Sequence, residues 1–134
     1  MRKKAWLEQL LKLVDERKRT AHKWGVNDCC LFAADAVLAM TGEDKAAALR
    51  GTYSNREEAY KIIATYGGLA GLLTHFLGEP KGPLCARRGD IVLFTAPNGL
   101  DCIGVCTGTT IVCPGDERLN VFDISLAKQS WRVE

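Results

Sequence analysis

The chain has 134 residues, of which 47% are hydrophobic and 25% are charged, and these proportions are typical of one globular domain with its own core. Eighteen Lys and Arg against sixteen Asp and Glu leave a formal net charge of +2, which is too balanced to indicate a nucleic acid as partner. The composition predicts a single domain over residues 1–134 and argues against a disordered or collagen-like chain.

The basic start of the sequence, MRKKAWLEQLLKLVDERKRT, lacks the features of a signal peptide. Glu8, Lys12 and Asp15 interrupt the apolar stretch, and no small-residue cleavage site follows. No later segment has the roughly 18 consecutive apolar residues of a membrane span. We therefore expect a protein that is made in the cytoplasm without a signal peptide and has no membrane span.

Four helices are predicted in the first half of the chain, because apolar residues recur there at three- and four-residue spacing. The first is amphipathic and lies within residues 1–20, and Asn27 or Asp28 caps the second. The third opens with a capping box formed by the run from Ser54 to Glu57. The predicted helices cover about residues 3–18, 28–42, 54–68 and 69–77.

The second half of the chain predicts strands, since Gly, Pro and β-branched residues dominate after Pro80. The expected strands are Asp90–Thr95, Asp101–Thr107, Thr110–Cys113, Leu119–Asp123 and Ser130–Val133. Helices that precede strands, rather than alternate with them, predict an α+β domain in which an antiparallel sheet carries the helices on one face.

Two of the six cysteines are adjacent at the predicted start of the second helix. A thiol in the first helical turn lies near unpaired backbone N–H groups and the positive end of the helix dipole, which favour the thiolate. Cys29, directly after the capping residue Asp28, is expected to point toward the sheet, whereas Cys30 is rotated by about 100°. Cys29 is therefore the better candidate for a nucleophile.

A thiol nucleophile of the protease type also needs a general base, which is usually histidine. The chain contains only His22 and His75. His75 lies in an apolar helix and is expected to be a packed or surface residue. His22 precedes Cys29 by seven positions, so a loop could bring its ring over the helix N-terminus. His22 is the possible base.

The run NDCCLFAADAV resembles the nucleophile helix of NlpC-type cell-wall cysteine peptidases, and Cys29 falls on their nucleophile. ARRGDIVLF and CIGVCTG resemble two strands of the same family, so the resemblance extends over residues 24–114. It implies a papain-like, NlpC-type fold and action on peptidoglycan. The family's catalytic His is replaced by Cys102, and its third polar group falls where this chain has Val112 and Cys113.

The combination of WGVNDCCLFAADAV, TGED, RGTYSNREEA, GDIVLF and SWRV is similar to a family encoded among phage and prophage tail genes. That resemblance implies synthesis in the bacterial cytoplasm, a place in the virion tail, and tail-tip or hub proteins as partners. Because the family's His is absent, we expect a degenerate, structural copy of the peptidase. The alternative is an active murein endopeptidase or amidase with Cys29 as nucleophile and peptidoglycan as substrate.

A further alternative joins the sulfurs in a metal site. Cys102 and Cys106 share one face of a strand, and if Cys102 occupies the position of the family's His, it faces Cys29. His22 or Cys113 could complete a tetrahedral zinc site, and four cysteines could hold an iron–sulfur cluster. The spacing lacks the paired Cys-x2-Cys of typical zinc sites, so we expect no cofactor and keep the metal-binding tail component as the alternative.

Overall fold

The computed structural model describes all 134 residues and shows an α+β arrangement in which four helices precede a five-stranded antiparallel sheet. The helices are α1 (Trp6–Arg17), α2 (Cys29–Thr41), α3 (Arg56–Thr65) and α4 (Leu69–Leu77). The strands are β1 (Ile91–Thr95), β2 (Asp101–Cys106), β3 (Thr110–Pro114), β4 (Leu119–Asp123) and β5 (Ala127–Trp131). The predicted α+β class is confirmed, and no helix combines the length and hydropathy that a membrane crossing requires.

The sheet has the strand order β4-β3-β2-β1-β5. Strands β1 to β4 form an antiparallel meander, and β5 returns to pair with the free edge of β1. The prediction that the last strand covers Ser130–Val133 is wrong, because pairing with β1 already begins at Ala127, opposite Phe94. The backbone N–H of Val133 instead donates to the side chain of Asp90.

All helix packing against the sheet occurs on one face, as predicted. Alternate strand residues such as Ile91, Ile103 and Val105 are buried there, and α2 lays Phe32 and Met40 against the same core. Strand residues two apart share a face. Ile91 and Leu93 of β1 therefore pack into this core, while Val92 and Phe94 are buried on the opposite face of the sheet.

The opposite face of the sheet has its own small core. It contains Phe94, Cys106, Ile111 and Cys113, and the short turn Ile124–Leu126 packs over it. Alternating strand residues assign Cys102 to this face together with Cys106, so the expected shared face is confirmed.

The helix caps agree with the sequence predictions at α2, whereas the cap of α3 lies one residue later than predicted. Asp28 caps α2 and Gly42 ends it in the left-handed conformation, both as predicted. The capping box predicted for Ser54 and Glu57 is wrong by one residue: Asn55 caps α3 by accepting from the N–H of Glu58 at 2.9 Å. The Glu58 carboxylate in turn accepts from the N–H of Ser54. Ser and Asn are both good caps, and each is followed three residues later by a glutamate, so the local pattern allowed either position.

Candidate active site

The carboxylate of Asp28 fixes the start of α2. The residue is only 1% exposed, and its two oxygens accept three hydrogen bonds. One oxygen accepts from the N–H of Leu31 at 2.9 Å, while the other accepts from the N–H of Gly25 at 2.9 Å and the hydroxyl of Tyr53 at 2.5 Å. Asp28 thereby anchors both the helix and the loop before it, and burial together with this bond raises the pKa of Tyr53.

The loop before α2 depends on a glycine. Gly25 has φ +78, and a Cβ at this position would lie 2.2 Å from the carbonyl oxygen of Tyr53. A side chain would therefore meet both a backbone clash and an unfavourable conformation. The absence of a side chain lets the turn around Trp24 lie against Tyr53, next to the helix N-terminus.

Cys29 is the first residue of α2 and is partly buried. Its pKa is lowered, chiefly because the thiol of Cys30 donates a hydrogen bond to its sulfur, and backbone N–H groups of Ile103 and Cys30 act in the same direction. Burial and the nearby Asp28 carboxylate oppose this effect. The contact with Ile103 places the sulfur beside β2, as the predicted orientation toward the sheet requires.

Cys30 has the opposite protonation preference. The hydrogen bond that it donates to Cys29, its burial and the negative charge of Cys29 raise its pKa well above the usual range. Its side chain packs against the main core. Cys30 thus remains a neutral donor while Cys29 is stabilised as a thiolate.

Cys102 lies at the start of β2 and lines the same cleft as Cys29. Burial, followed by the charges of Cys29 and Asp101, raises its pKa to about 11. Burial, with smaller contributions from Cys102 and Cys29, raises the pKa of Cys113 to about 12. Both thiols are protonated at neutral pH, so neither can serve as the general base.

These groups face one open cleft with a volume of about 540 Å³. The cleft is lined by Cys29, Cys102 and Cys113, which come from α2, β2 and β3. His22 lines it as well: its backbone N–H donates to the carbonyl oxygen of Gly115 at 2.8 Å, and its ring lies 4.6 Å from that of Trp24. The loop before α2 therefore brings a histidine into the cleft that contains Cys29.

Cys106 does not join this group. It is four residues along β2 from Cys102, which corresponds to about 13 Å in a strand, and its sulfur exchanges hydrogen bonds with Gly108 instead. The expected convergence of Cys29, Cys102 and Cys106 is therefore not found. No group of three or more His, Cys, Asp or Glu side chains is arranged to hold a metal ion.

Several residues of the cleft were not identified from the sequence. Tyr53, Arg56, Tyr60 and Asn120 all line it. Asn120 lies on β4 directly opposite Cys113, and a polar residue within an apolar strand pattern was the only local signal for it. Its place in the cleft depends on the pairing of β3 with β4, which the sequence pattern alone did not provide.

Comparison with known proteins places almost the whole chain in one family. No curated protein matches the sequence. Residues 1–133 match the family described as a domain of unknown function, DUF6950. The match includes every helix and strand and every residue of the cleft described above, and the chain therefore belongs to the DUF6950 family.

Proposed function

We propose that the protein is a thiol hydrolase with a papain-like, NlpC-type fold, in which Cys29 attacks a peptide bond of peptidoglycan. The observation that carries the proposal is the position of the Cys29 sulfur. It lies in the first turn of α2, its pKa is lowered chiefly by the neighbouring thiol of Cys30, and it lines an open cleft of about 540 Å³. These are the conditions under which a cysteine is nucleophilic.

The proposed relation to NlpC-type peptidases is supported by the packing of α2 against the sheet. The N-terminus of the helix that carries the nucleophile candidate packs against the start of β2, and the antiparallel meander follows it in the chain. The sequence resemblance of residues 24–114 to NlpC-type peptidases has the same order of elements. Cys102 takes the position of the family's His, so the base must come from elsewhere.

His22 is the residue that we assign to proton transfer. His22 takes the proton of the Cys29 thiol, and the resulting thiolate adds to the carbonyl carbon. The C–N bond then breaks, and the leaving amine takes that proton from His22. Water, activated by neutral His22, hydrolyses the resulting thioester and returns Cys29 to its starting state. Cys30 stays protonated throughout and stabilises the thiolate between turnovers.

The test compares the six thiols in the folded protein by alkylation and mass spectrometry. We expect Cys29 to react with iodoacetamide at pH 7 at least about tenfold faster than Cys85, the exposed thiol that serves as reference. Cys29→Ala should abolish cleavage of purified peptidoglycan, and His22→Ala should lower it by about 100-fold or more. Equal rates for Cys29 and Cys85, or cleavage by the Cys29→Ala variant, would overturn the proposal.

A second candidate function is favoured by Cys102. A neutral thiol with a pKa of about 11 in place of the family's base is what a retired active site would contain. The protein would then be a structural component of a phage tail tip, made in the bacterial cytoplasm and bound to other tail-tip or hub proteins. Phage that carry Cys29→Ala would remain infectious, whereas deletion of the gene would prevent tail assembly. An active peptidase predicts the reverse for Cys29→Ala: assembled particles with reduced infection.

A further inference from the structure

Four side chains form a continuous row along one side of the cleft. The ring centroids of His22 and Trp24 are 4.6 Å apart, and those of Trp24 and Tyr60 are 6.1 Å apart. The guanidinium carbon of Arg56 lies 5.0 Å from the ring centroid of Tyr60. All four residues line the cleft that contains Cys29. We call this row the aromatic wall.

Arg56 is the cationic end of the aromatic wall. It is exposed, and it forms none of the seven ion pairs of the structure. Arg2, Arg17 and Arg50, by contrast, are each paired with a carboxylate at 3.0 Å or less. The guanidinium of Arg56 lies over the ring of Tyr60, and this cation–π contact leaves its N–H groups free for a ligand.

The acidic residues around the cleft do not neutralise Arg56. Asp28 uses both oxygens for the helix cap and Tyr53. Asp101 accepts from Lys128 at 2.9 Å and from Thr95 at 2.7 Å. Asp116 also lines the cleft and forms no ion pair with Arg56. A free guanidinium beside aromatic rings, in the same cleft as the nucleophile candidate, fits a ligand with a carbon chain that ends in a carboxylate.

We propose that the aromatic wall is a substrate subsite for a peptide segment that carries a free carboxylate. Arg56 binds the carboxylate through its fork of N–H donors, and Trp24 and Tyr60 pack against the carbon chain that leads to the reacting amide. The subsite rests on the proposed role of Cys29, because it orients the substrate toward that sulfur. It makes Arg56 the residue that determines specificity for acidic over neutral peptides.

Carboxylate-bearing alkylating reagents test this subsite without a known substrate. We would compare N-iodoacetyl-β-alanine and N-iodoacetyl-γ-aminobutyrate with their carboxamides, and measure each rate constant at Cys29 by mass spectrometry. At least one of the two carboxylate reagents should alkylate Cys29 about tenfold faster than the matching carboxamide, as a charge-assisted bidentate contact with Arg56 predicts. Arg56→Gln should reduce that ratio to about 1, and Arg56→Lys should retain part of it because a point charge lacks the fork.

Lys61→Gln is the matched control, since Lys61 is an exposed cation of the same helix that does not line the cleft. The carboxylate preference should survive this change. The subsite would be overturned by a carboxylate-to-carboxamide rate ratio near 1 in the wild type, or by an equal loss of that ratio in the Arg56→Gln and Lys61→Gln variants. The reactivity of Cys29 toward the neutral reagents is a separate result that neither outcome affects.

A second measurement separates the subsite from the proposed function. In Cys29→Ala, titration with the unreactive N-acetyl-γ-aminobutyrate should shift the Nε–Hε resonance of Arg56, and the corresponding carboxamide should not. If Cys29 proves unreactive but this shift is seen, the hydrolase proposal falls and the carboxylate site stands. If the resonance does not respond, the site falls whatever the reactivity of Cys29.

Discussion

At the scale of single residues, the chemistry of the site depends on how two adjacent cysteines differ. One step along a helix rotates the side chain by about 100°. Both cysteines pack against the main core, but only Cys29 also lies against the backbone of β2 at Ile103. The first thiol is stabilised as a thiolate, and the second stays protonated as its donor. Helix position predicted the nucleophile candidate, but the donor role of Cys30 depends on side-chain geometry.

Replacing the donor should change the reactivity of its neighbour. Cys30→Ala removes the largest contribution that lowers the pKa of Cys29, so that pKa should rise. The alkylation rate of Cys29 at pH 7 should fall by at least about threefold, because the reactive form is the thiolate. The pH dependence of the rate, followed by mass spectrometry, provides the measurement. Cys85→Ala, at an exposed position, is the control and should leave the profile unchanged.

The same change has a defined effect on stability. An unfolded thiol titrates near about pH 8.5, and the folded pKa of Cys29 is lowered. Its thiolate therefore stabilises the fold above about pH 8.5, and this contribution is lost as the pH falls through the folded pKa. Urea denaturation should show that the free energy of unfolding of wild type exceeds that of Cys30→Ala by an amount that grows from about pH 6 to about pH 8.5. A difference that does not change with pH would mean that Cys30 does not influence the charge of Cys29.

At the scale of elements, one carboxylate on α2 joins three segments. The two oxygens of Asp35 each accept from a guanidinium at 2.7 Å, one from Arg17 at the end of α1 and one from Arg50. Arg50 also donates to Asp44 at 2.8 Å. The network fixes the segment before Tyr53 and so supports the hydroxyl that reaches Asp28. Its members are 6 to 18 residues apart in sequence, and no local pattern predicted them.

Asp35→Asn should therefore weaken the contact among these segments. The change leaves two guanidiniums facing a neutral amide, and because Asp35 is only 13% exposed we expect a loss of about 1–3 kcal/mol in the free energy of unfolding. Urea denaturation monitored by tryptophan fluorescence measures it. Asp15→Asn is the matched control: its partner is Lys18 and its side chain is 77% exposed, so its effect should stay within about 0.5 kcal/mol. Similar losses in both variants would contradict a special role for Asp35.

At the scale of the whole molecule, Asp90 connects residues from both ends of the fold. It is 1% exposed and accepts from the guanidinium of Arg2 at 3.0 Å and from the N–H of Val133 at 3.4 Å. Arg2 also donates to the carbonyl oxygen of Val133 at 2.6 Å and lies 4.2 Å from the ring of Trp6. The segment before α1 and the segment after β5 are thereby held together over the start of β1.

Removal of the cation should destabilise the whole fold. Arg2→Ala leaves the buried carboxylate of Asp90 without its ionic partner, so we expect a loss of about 2–4 kcal/mol in the free energy of unfolding. Hydrogen exchange should also become faster at the amide of Val133. Lys4→Ala, at an exposed position, should have little effect on either measurement. An unchanged exchange rate at Val133 in Arg2→Ala would show that the contact does not hold the two segments together.

The sequence by itself determined which segments are helices and strands. Periodicity and glycines predicted α4 and β4 to the residue and α2 to within one residue of each end, because these signals act between neighbours in the chain. The cap of α3 and the start of β5 were misplaced, since two caps compete at the first and pairing with β1 sets the second.

Only the tertiary structure decided which chemical groups meet. Cys29, Cys113 and His22 face one cleft, whereas Cys106, on the same face of the sheet as Cys113, is fully buried and does not line the cleft. That distribution follows from strand register and from the packing of α2 against β2, which depend on contacts between residues far apart in sequence. The aromatic wall has the same origin: a loop and a separate helix supply its members, and their proximity is fixed by the core beneath them.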